Sequence, residues 1–124
     1  MLDLDDAFSG FSVDDVPAAA AFYRDVLGLR VSEEDGMLTL LLPGHRVLLY
    51  PKGPAHTPAS FTVLNFPVPD VPAAVAELRG RGVVFERYEG TRTQTDEDGV
   101  FRGGGPLIAW FTDPAGNVLS VVEA

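Results

Sequence analysis

The chain lacks cysteine, which excludes disulfide bonds, thiolate nucleophiles and cysteine-ligated metals. It also has only two histidines and one tryptophan in 124 residues. No apolar run approaches the roughly 18 residues of a membrane-spanning helix, and the first residues do not combine a basic region with an apolar run. We therefore expect a cytoplasmic protein that makes no contact with a membrane.

Basic residues are scarce as well. Nine Lys and Arg face 18 Asp and Glu, which gives a net charge of −9. Proteins that bind nucleic acid usually neutralise phosphates with a basic surface, so nucleic acid is not an expected partner. Hydrophobic residues make up 46% of the chain, which is enough to form a packed core. The length favours one domain spanning residues 1–124.

The sequence repeats itself once, at a spacing of 55 residues. Phe11–Arg24 aligns with Phe66–Arg79, and nine of the fourteen aligned positions are identical. Both copies contain Asp-Val-Pro-Ala-Ala, beginning at Asp15 and Asp70. Aspartate followed by an early proline is typical of a helix N-terminus, and alternating apolar residues before it indicate a strand. Each half is therefore predicted to begin with a strand, a cap and a helix.

The predicted elements continue in the same order in both halves. Helices are predicted over 15–27 and 71–79. Strands are predicted over 29–33, 37–42 and 46–50 in the first half, and over 83–87, 107–112 and 118–122 in the second. Asp35-Gly36 is a hairpin signal, and the turn at 113–117 joins the last two strands. We expect an α+β fold of two tandem βαβββ modules, 1–55 and 56–124.

The second half is longer because of a polar connection between residues 87 and 106. Long connections in compact domains are often functional, so this segment is either a lid over a binding site or a mobile loop. Its glycine run, Gly103–Gly105, lacks the lysine and hydroxyl residue of a phosphate-binding loop. Its acidic run, Asp96–Gly99, lacks the later ligands of a calcium loop and is expected to be a solvated turn.

Two local motifs and the duplication resemble a known superfamily. The motifs are Phe-Tyr-Arg-Asp-Val-Leu-Gly-Leu at 22–29 and Asp-Pro-Ala-Gly-Asn at 113–117. They resemble the vicinal oxygen chelate superfamily, which includes glyoxalase I, extradiol dioxygenases, fosfomycin-resistance transferases and bleomycin-resistance proteins. The resemblance implies two paired modules that curl into half-barrels around a cavity, and it implies a homodimer.

The resemblance also locates the metal ligands of the superfamily's catalytic members. These positions correspond to Phe8, Val63 and Ser120, with Leu48 or Tyr50 as a further ligand in some branches. None of these side chains is an imidazole or a carboxylate, the donors such a divalent metal needs. We therefore expect neither a metal nor another cofactor.

The remaining polar candidates are few. His45 and His56 are expected to be surface loop residues, and Glu123 a solvated residue at the end of a strand. No acid/base pair is evident, so no residue is assigned a catalytic role.

If the former ligand positions mark the inner faces, the cavity is largely apolar with a few polar groups. Its candidate lining residues are Phe8, Tyr50, Val63, Asn65, Arg92, Phe101, Trp110 and Ser120. Together with the superfamily resemblance, this composition favours a metal-independent binding protein of the glyoxalase and bleomycin-resistance type, which sequesters a small organic molecule, cationic or aromatic. The alternative is an enzyme of the same superfamily, a lyase, isomerase or dioxygenase-like protein, with a relocated or metal-free site.

Overall fold

The computed structural model describes residues 1–123. The chain divides into two compact units, Met1–Pro58 and Ala59–Ala124. We call them the first and second units and describe each by itself.

The first unit is a four-stranded sheet with one helix. Its elements are β1 (Ser9–Val13), α1 (Val16–Ala21), a π-helical turn (Phe22–Val26), β2 (Val31–Glu34), β3 (Met37–Leu42), β4 (His45–Pro51) and a 3₁₀ turn (Gly53–Ala55). The strand order is β1-β4-β3-β2. β1 runs parallel to β4, whereas the other neighbouring strands are antiparallel.

The cap and hairpin signals read from the sequence agree with most of the local structure of this unit. The Asp15 carboxylate accepts a 3.0 Å hydrogen bond from the Ala18 amide, as an N-cap should. Asp35 and Gly36 have φ values of 53° and 76°, the left-handed pair that a type I′ hairpin requires. The helix predicted over 15–27 is α-helical only in its first part and ends in the π-helical turn. Tyr23 in that turn is fully buried.

The second unit is a three-stranded sheet with one helix. Its elements are β5 (Thr62–Val68), α2 (Val71–Gly80), β6 (Ile108–Thr112) and β7 (Val118–Glu123). The strand order is β5-β7-β6, with β5 parallel and β6 antiparallel to β7. Asp70 caps α2 through a 3.0 Å hydrogen bond from the Ala73 amide. The Glu123 carboxylate, predicted to be solvated, accepts a 3.0 Å hydrogen bond from the Val71 amide.

The predicted strand over 83–87 is wrong. Only one bridge forms, between Phe85 and Phe111, together with a 2.7 Å hydrogen bond from the Glu86 amide to the Trp110 carbonyl. Thr95 engages the backbone beyond this bridge, because its hydroxyl donates to the carbonyls of Glu86 and Arg87 and its amide donates to that of Arg87. The backbone then turns away at Tyr88. The second unit therefore has a single bridge where the first has a strand.

Each sheet buries one face against its own helix. In the first unit this core includes Val13, Leu40 and Leu49; in the second it includes Phe111 and Leu119. The architecture confirms the predicted α+β class and two-module organisation, with one strand fewer in the second sheet. No helix within residues 1–123 is long and apolar enough to cross a membrane.

Candidate functional site

Three predicted site residues lie in register on the sheet of the second unit. Asn65 on β5 pairs with Ser120 on β7, which pairs with Trp110 on β6. Cross-strand partners share a face, and this face is opposite the one that packs on α2. The Ser120 hydroxyl, wholly buried, donates a 2.6 Å hydrogen bond to the Asn65 side-chain oxygen. The structure thus brings a polar pair next to the single tryptophan.

Two further aromatic side chains flank Trp110. The Tyr88 ring centroid lies 5.4 Å from that of Trp110 at an interplanar angle of 59°, and Phe101 lies 5.7 Å away at 46°. All three side chains are half-buried. We call Tyr88, Phe101 and Trp110 the aromatic cluster. Tilted rings at these separations attract one another and present a large apolar area with polar tips.

Backbone contacts fix the Phe101 ring. The Phe101 amide donates a 2.7 Å hydrogen bond to the Ile108 carbonyl at an isolated bridge, which brings the end of the connection between α2 and β6 to β6. The ring lies directly over Gly103, where an added Cβ would be 2.5 Å from the ring. Glycine is needed at position 103 because a side chain there would push the ring away.

Tyr88 is a member of the cluster that sequence reasoning missed. Its φ of 49° is a left-handed conformation that costs a non-glycine residue roughly 1 kcal/mol. Burial, and secondarily the nearby Glu86 charge, raise the pKa of the Tyr88 phenol. The hydroxyl therefore keeps its proton at neutral pH and is available as a donor. A strained backbone that holds such a group is a frequent feature of binding sites.

The segment from residue 86 to residue 107, the long loop, is folded rather than extended. Buried Thr95 fastens its first half to the carbonyls of Glu86 and Arg87, and fully buried Val100 anchors its second half. Asp96 accepts hydrogen bonds from the Val100 amide at 2.9 Å and from the Arg102 guanidinium at 2.7 Å. Burial alone would raise the pKa of Asp96, but these hydrogen bonds outweigh it, and the pKa is lowered.

For two predicted site residues of the second unit, the structure shows no place on the sheet face of Asn65, Ser120 and Trp110. Arg92 is exposed in the long loop, and within residues 1–123 it has no hydrogen bond or ring contact to the aromatic cluster. Val63 lies at a register shift between Thr62 and Leu64 in β5, so alternation does not fix its direction there.

Phe8 and Tyr50 belong to the first unit. Phe8 is 52% exposed, and the Arg46 guanidinium lies 4.8 Å from its ring centroid. Tyr50 on β4 is the register partner of Ser12 on β1. The prediction that all eight residues line one cavity stays a prediction.

His56 differs from its expected role as a surface loop residue. It is half-buried, and its Nδ1 lies 2.8 Å from the Ser12 hydroxyl. The 3₁₀ turn Gly53–Ala55 reverses the chain just before it, which returns the imidazole to β1. No local pattern predicted this pair, because its members are 44 residues apart.

The first unit also has an open cleft of about 810 Å³. It is lined by Asp5–Ala7, Gly28–Arg30 and Leu41–Arg46. It contains none of the predicted site residues, and its walls are a terminal segment and two turns, with charges of both signs. We therefore place the candidate site in the second unit, on the sheet face that carries the aromatic cluster, Asn65 and Ser120. We call this face the aromatic face.

Comparison with known proteins identifies the family. Residues 8–121 match the model of the Glyoxalase/Bleomycin resistance protein/Dioxygenase superfamily. The chain belongs to this superfamily. The match confirms the resemblance inferred from the helix-end motif, the terminal turn and the duplication. No match was found among curated proteins.

Solved structures similar to this superfamily member share its fold. UcmS2 aligns with a TM-score of 0.72 and 21% identity, covering 100% of this chain and 99% of that one. TnmS3, an antibiotic binding protein from Streptomyces sp. CB03234, aligns with a TM-score of 0.63 and 23% identity, covering 98% of each chain. Oxidase ChaP-H2 aligns with a TM-score of 0.63 and 21% identity, covering 95% of this chain and 93% of that one. Identities this low show the fold alone.

The metal centre implied by the superfamily resemblance does not fit the residues present. Phe8 and Val63 have no donor atoms, and the Ser120 hydroxyl already donates to Asn65. Within residues 1–123, no three histidine, aspartate or glutamate side chains come together as a metal site would require. No chemistry is therefore derived through a metal at these positions.

Proposed function

We propose that the protein binds a small organic molecule, without a metal, on the aromatic face of its second unit. The observation that supports this proposal is that the Trp110 ring contacts the rings of both Tyr88 and Phe101, and that Trp110 pairs with Ser120, which is bonded to Asn65. Ligand sites for organic molecules are typically apolar and aromatic surfaces with a few fixed polar groups. The face has both components.

The polar groups would set the orientation of such a ligand. The Tyr88 hydroxyl is protonated at neutral pH, and the exposed Asn65 side chain has amide hydrogens in addition to the oxygen that Ser120 engages. The binding role is supported by TnmS3, a fold relative whose name states antibiotic binding. The proposal includes a cytoplasmic location and a homodimeric state. Light scattering of the purified protein would test the homodimer, and cell fractionation would test the location.

Trp110 makes the proposal directly testable, since it is the only tryptophan. A panel of neutral and charged aromatic compounds is titrated while Trp110 emission and the melting temperature are recorded. We expect at least one compound to change the emission and raise the melting temperature. The variant Phe101→Ala should bind it about tenfold more weakly, because it loses one ring contact.

The matched control is Val84→Ala, a change at a side chain that is 80% exposed in the same unit. It should bind like the wild type. The proposal fails if no compound alters the emission, if Phe101→Ala binds normally, or if purified protein contains a stoichiometric metal needed for binding.

A second candidate is a metal-free enzyme of the same superfamily, favoured by the Ser12–His56 pair. In the tautomer with an unprotonated Nδ1, His56 accepts the hydroxyl proton of Ser12 and could act as a general base. Turnover of a bound compound that is lost in both Ser12→Ala and His56→Ala would support this candidate. Binding without turnover supports the binding protein.

A further inference from the structure

Glu86 adds a charge to the aromatic face. The bridge between Phe85 and Phe111 places these two rings 5.5 Å apart, and both are buried. The next pair along the bridge is Glu86 and Trp110, whose backbones share a 2.7 Å hydrogen bond. Side chains alternate along extended backbone, so Glu86 and Trp110 lie together on the opposite face.

Glu86 is a half-buried residue of this face. Within residues 1–123 its carboxylate has no hydrogen bond and no ion pair, whereas Asp96 in the same loop pairs with Arg102 at 2.7 Å. Glu89 also has a cation, the Arg87 guanidinium, at 3.9 Å. Within the described residues, the Glu86 carboxylate is therefore available to a cation that a ligand supplies.

Aromatic faces attract cations, and organic ammonium groups are commonly recognised by several rings together. We propose that the aromatic cluster and Glu86 bind an organic ammonium cation: the rings contact its alkyl groups and Glu86 balances its charge. This inference rests on the proposed binding function and specifies its ligand class. The net charge of −9 attracts such a ligand from a distance.

A pair of probes of equal shape separates charge from size. Choline carries a quaternary ammonium, and 3,3-dimethyl-1-butanol is its neutral counterpart. Each is titrated to millimolar concentration while the single Trp110 indole N–H resonance is followed by NMR. We expect choline to shift the resonance saturably and to bind about tenfold more tightly than the alcohol.

Variants then test the assigned carboxylate. Glu86→Gln keeps the shape but removes the charge, and it should weaken choline binding about tenfold without changing binding of the alcohol. Glu97→Gln removes an exposed carboxylate from the same loop and should bind choline like the wild type. Wild-type affinity of Glu86→Gln for the neutral alcohol shows that the aromatic cluster is intact in this variant.

The outcomes distinguish failure of the ammonium inference from failure of the proposed binding function. If neutral aromatic compounds bind at Trp110 but choline does not, the ammonium inference is overturned and the binding function stands. If choline and the alcohol bind equally, or Glu86→Gln binds choline normally, Glu86 is not the counter-charge and the inference is again overturned. If nothing in either panel affects Trp110, both proposals fall.

Discussion

Both units begin with a strand, a capping aspartate and a helix, yet they complete their sheets differently. The first unit continues through a type I′ hairpin into four strands. The second has a single bridge at Phe85 and a long folded loop instead of a strand. The aromatic cluster depends on this difference, because Tyr88 and Phe101 lie in the loop. The duplication thus supplies a common scaffold, and its least regular part supplies the candidate site.

The largest expected effect comes from detaching the start of the loop. Thr95→Val keeps the side-chain shape but removes the hydroxyl that donates to the Glu86 and Arg87 carbonyls. We expect a loss of about 2 kcal/mol in the free energy of unfolding, because the Glu86 carbonyl loses its donor, whereas the Arg87 carbonyl keeps the amide of residue 95. Urea denaturation measures the loss.

Limited proteolysis of this variant should show new cleavage within residues 86–107. Thr93→Val, at an exposed position in the same loop, is the control and should behave like the wild type. Equal stability of the two variants would show that Thr95 does not hold the loop.

A smaller effect is expected from Gly103→Ala. The new Cβ would lie 2.5 Å from the Phe101 ring, so the ring must move away from its position beside Trp110. We expect a shifted Trp110 emission maximum and a destabilisation of about 1 kcal/mol. Gly80→Ala is the control, since nothing lies within 4 Å of its added Cβ. Identical emission spectra for both variants would contradict the described ring position.

The smallest expected effect is a loss of stability in the long loop at acid pH. The folded-state pKa of Asp96 lies below its ordinary value of 3.8, so its contribution to stability is present above that value. The contribution is lost as the pH falls through the folded-state pKa. It is less than about 1 kcal/mol because the pair with Arg102 is partly exposed and screened.

Cleavage of the long loop by an acid-active protease should therefore increase as the pH falls below about 4. Asp96→Asn should remove much of this pH dependence. The same pH profile in the variant and the wild type would assign the acid sensitivity to other carboxylates. A ligand that suppresses cleavage at neutral pH would support the lid interpretation of this loop.

The sequence predicted those parts of the molecule that local chemistry determines. Asp15, Asp70 and the Asp35-Gly36 hairpin each act through neighbouring backbone, so their patterns were sufficient. The superfamily resemblance, together with strand alternation, also predicted inward-facing positions for Asn65 and Ser120, and the register of β5 with β7 pairs these two residues. The register of β6 could not be fixed from its own residues, and only its pairing with β7 shows that Trp110 joins them.

The errors have a common origin in contacts between distant residues. The Thr95 hydroxyl engages the carbonyl of Glu86 in the segment that was predicted to be a strand. The Glu123 carboxylate accepts a hydrogen bond from Val71 at the start of α2, 52 positions away in the chain. The left-handed backbone of Tyr88 has no signal in its flanking residues. These features depend on how the loop folds back, which periodicity does not reveal.

The position of β7 has a consequence for how the protein emerges from the ribosome. β1 to β4 are all available once Pro51 has been synthesised, whereas β7 is the middle strand of its sheet and lies at Val118–Glu123. Until those residues are made, β5 and β6 have no strand to pair with. The nascent second unit therefore exposes two unpaired edges, while the first can already be complete.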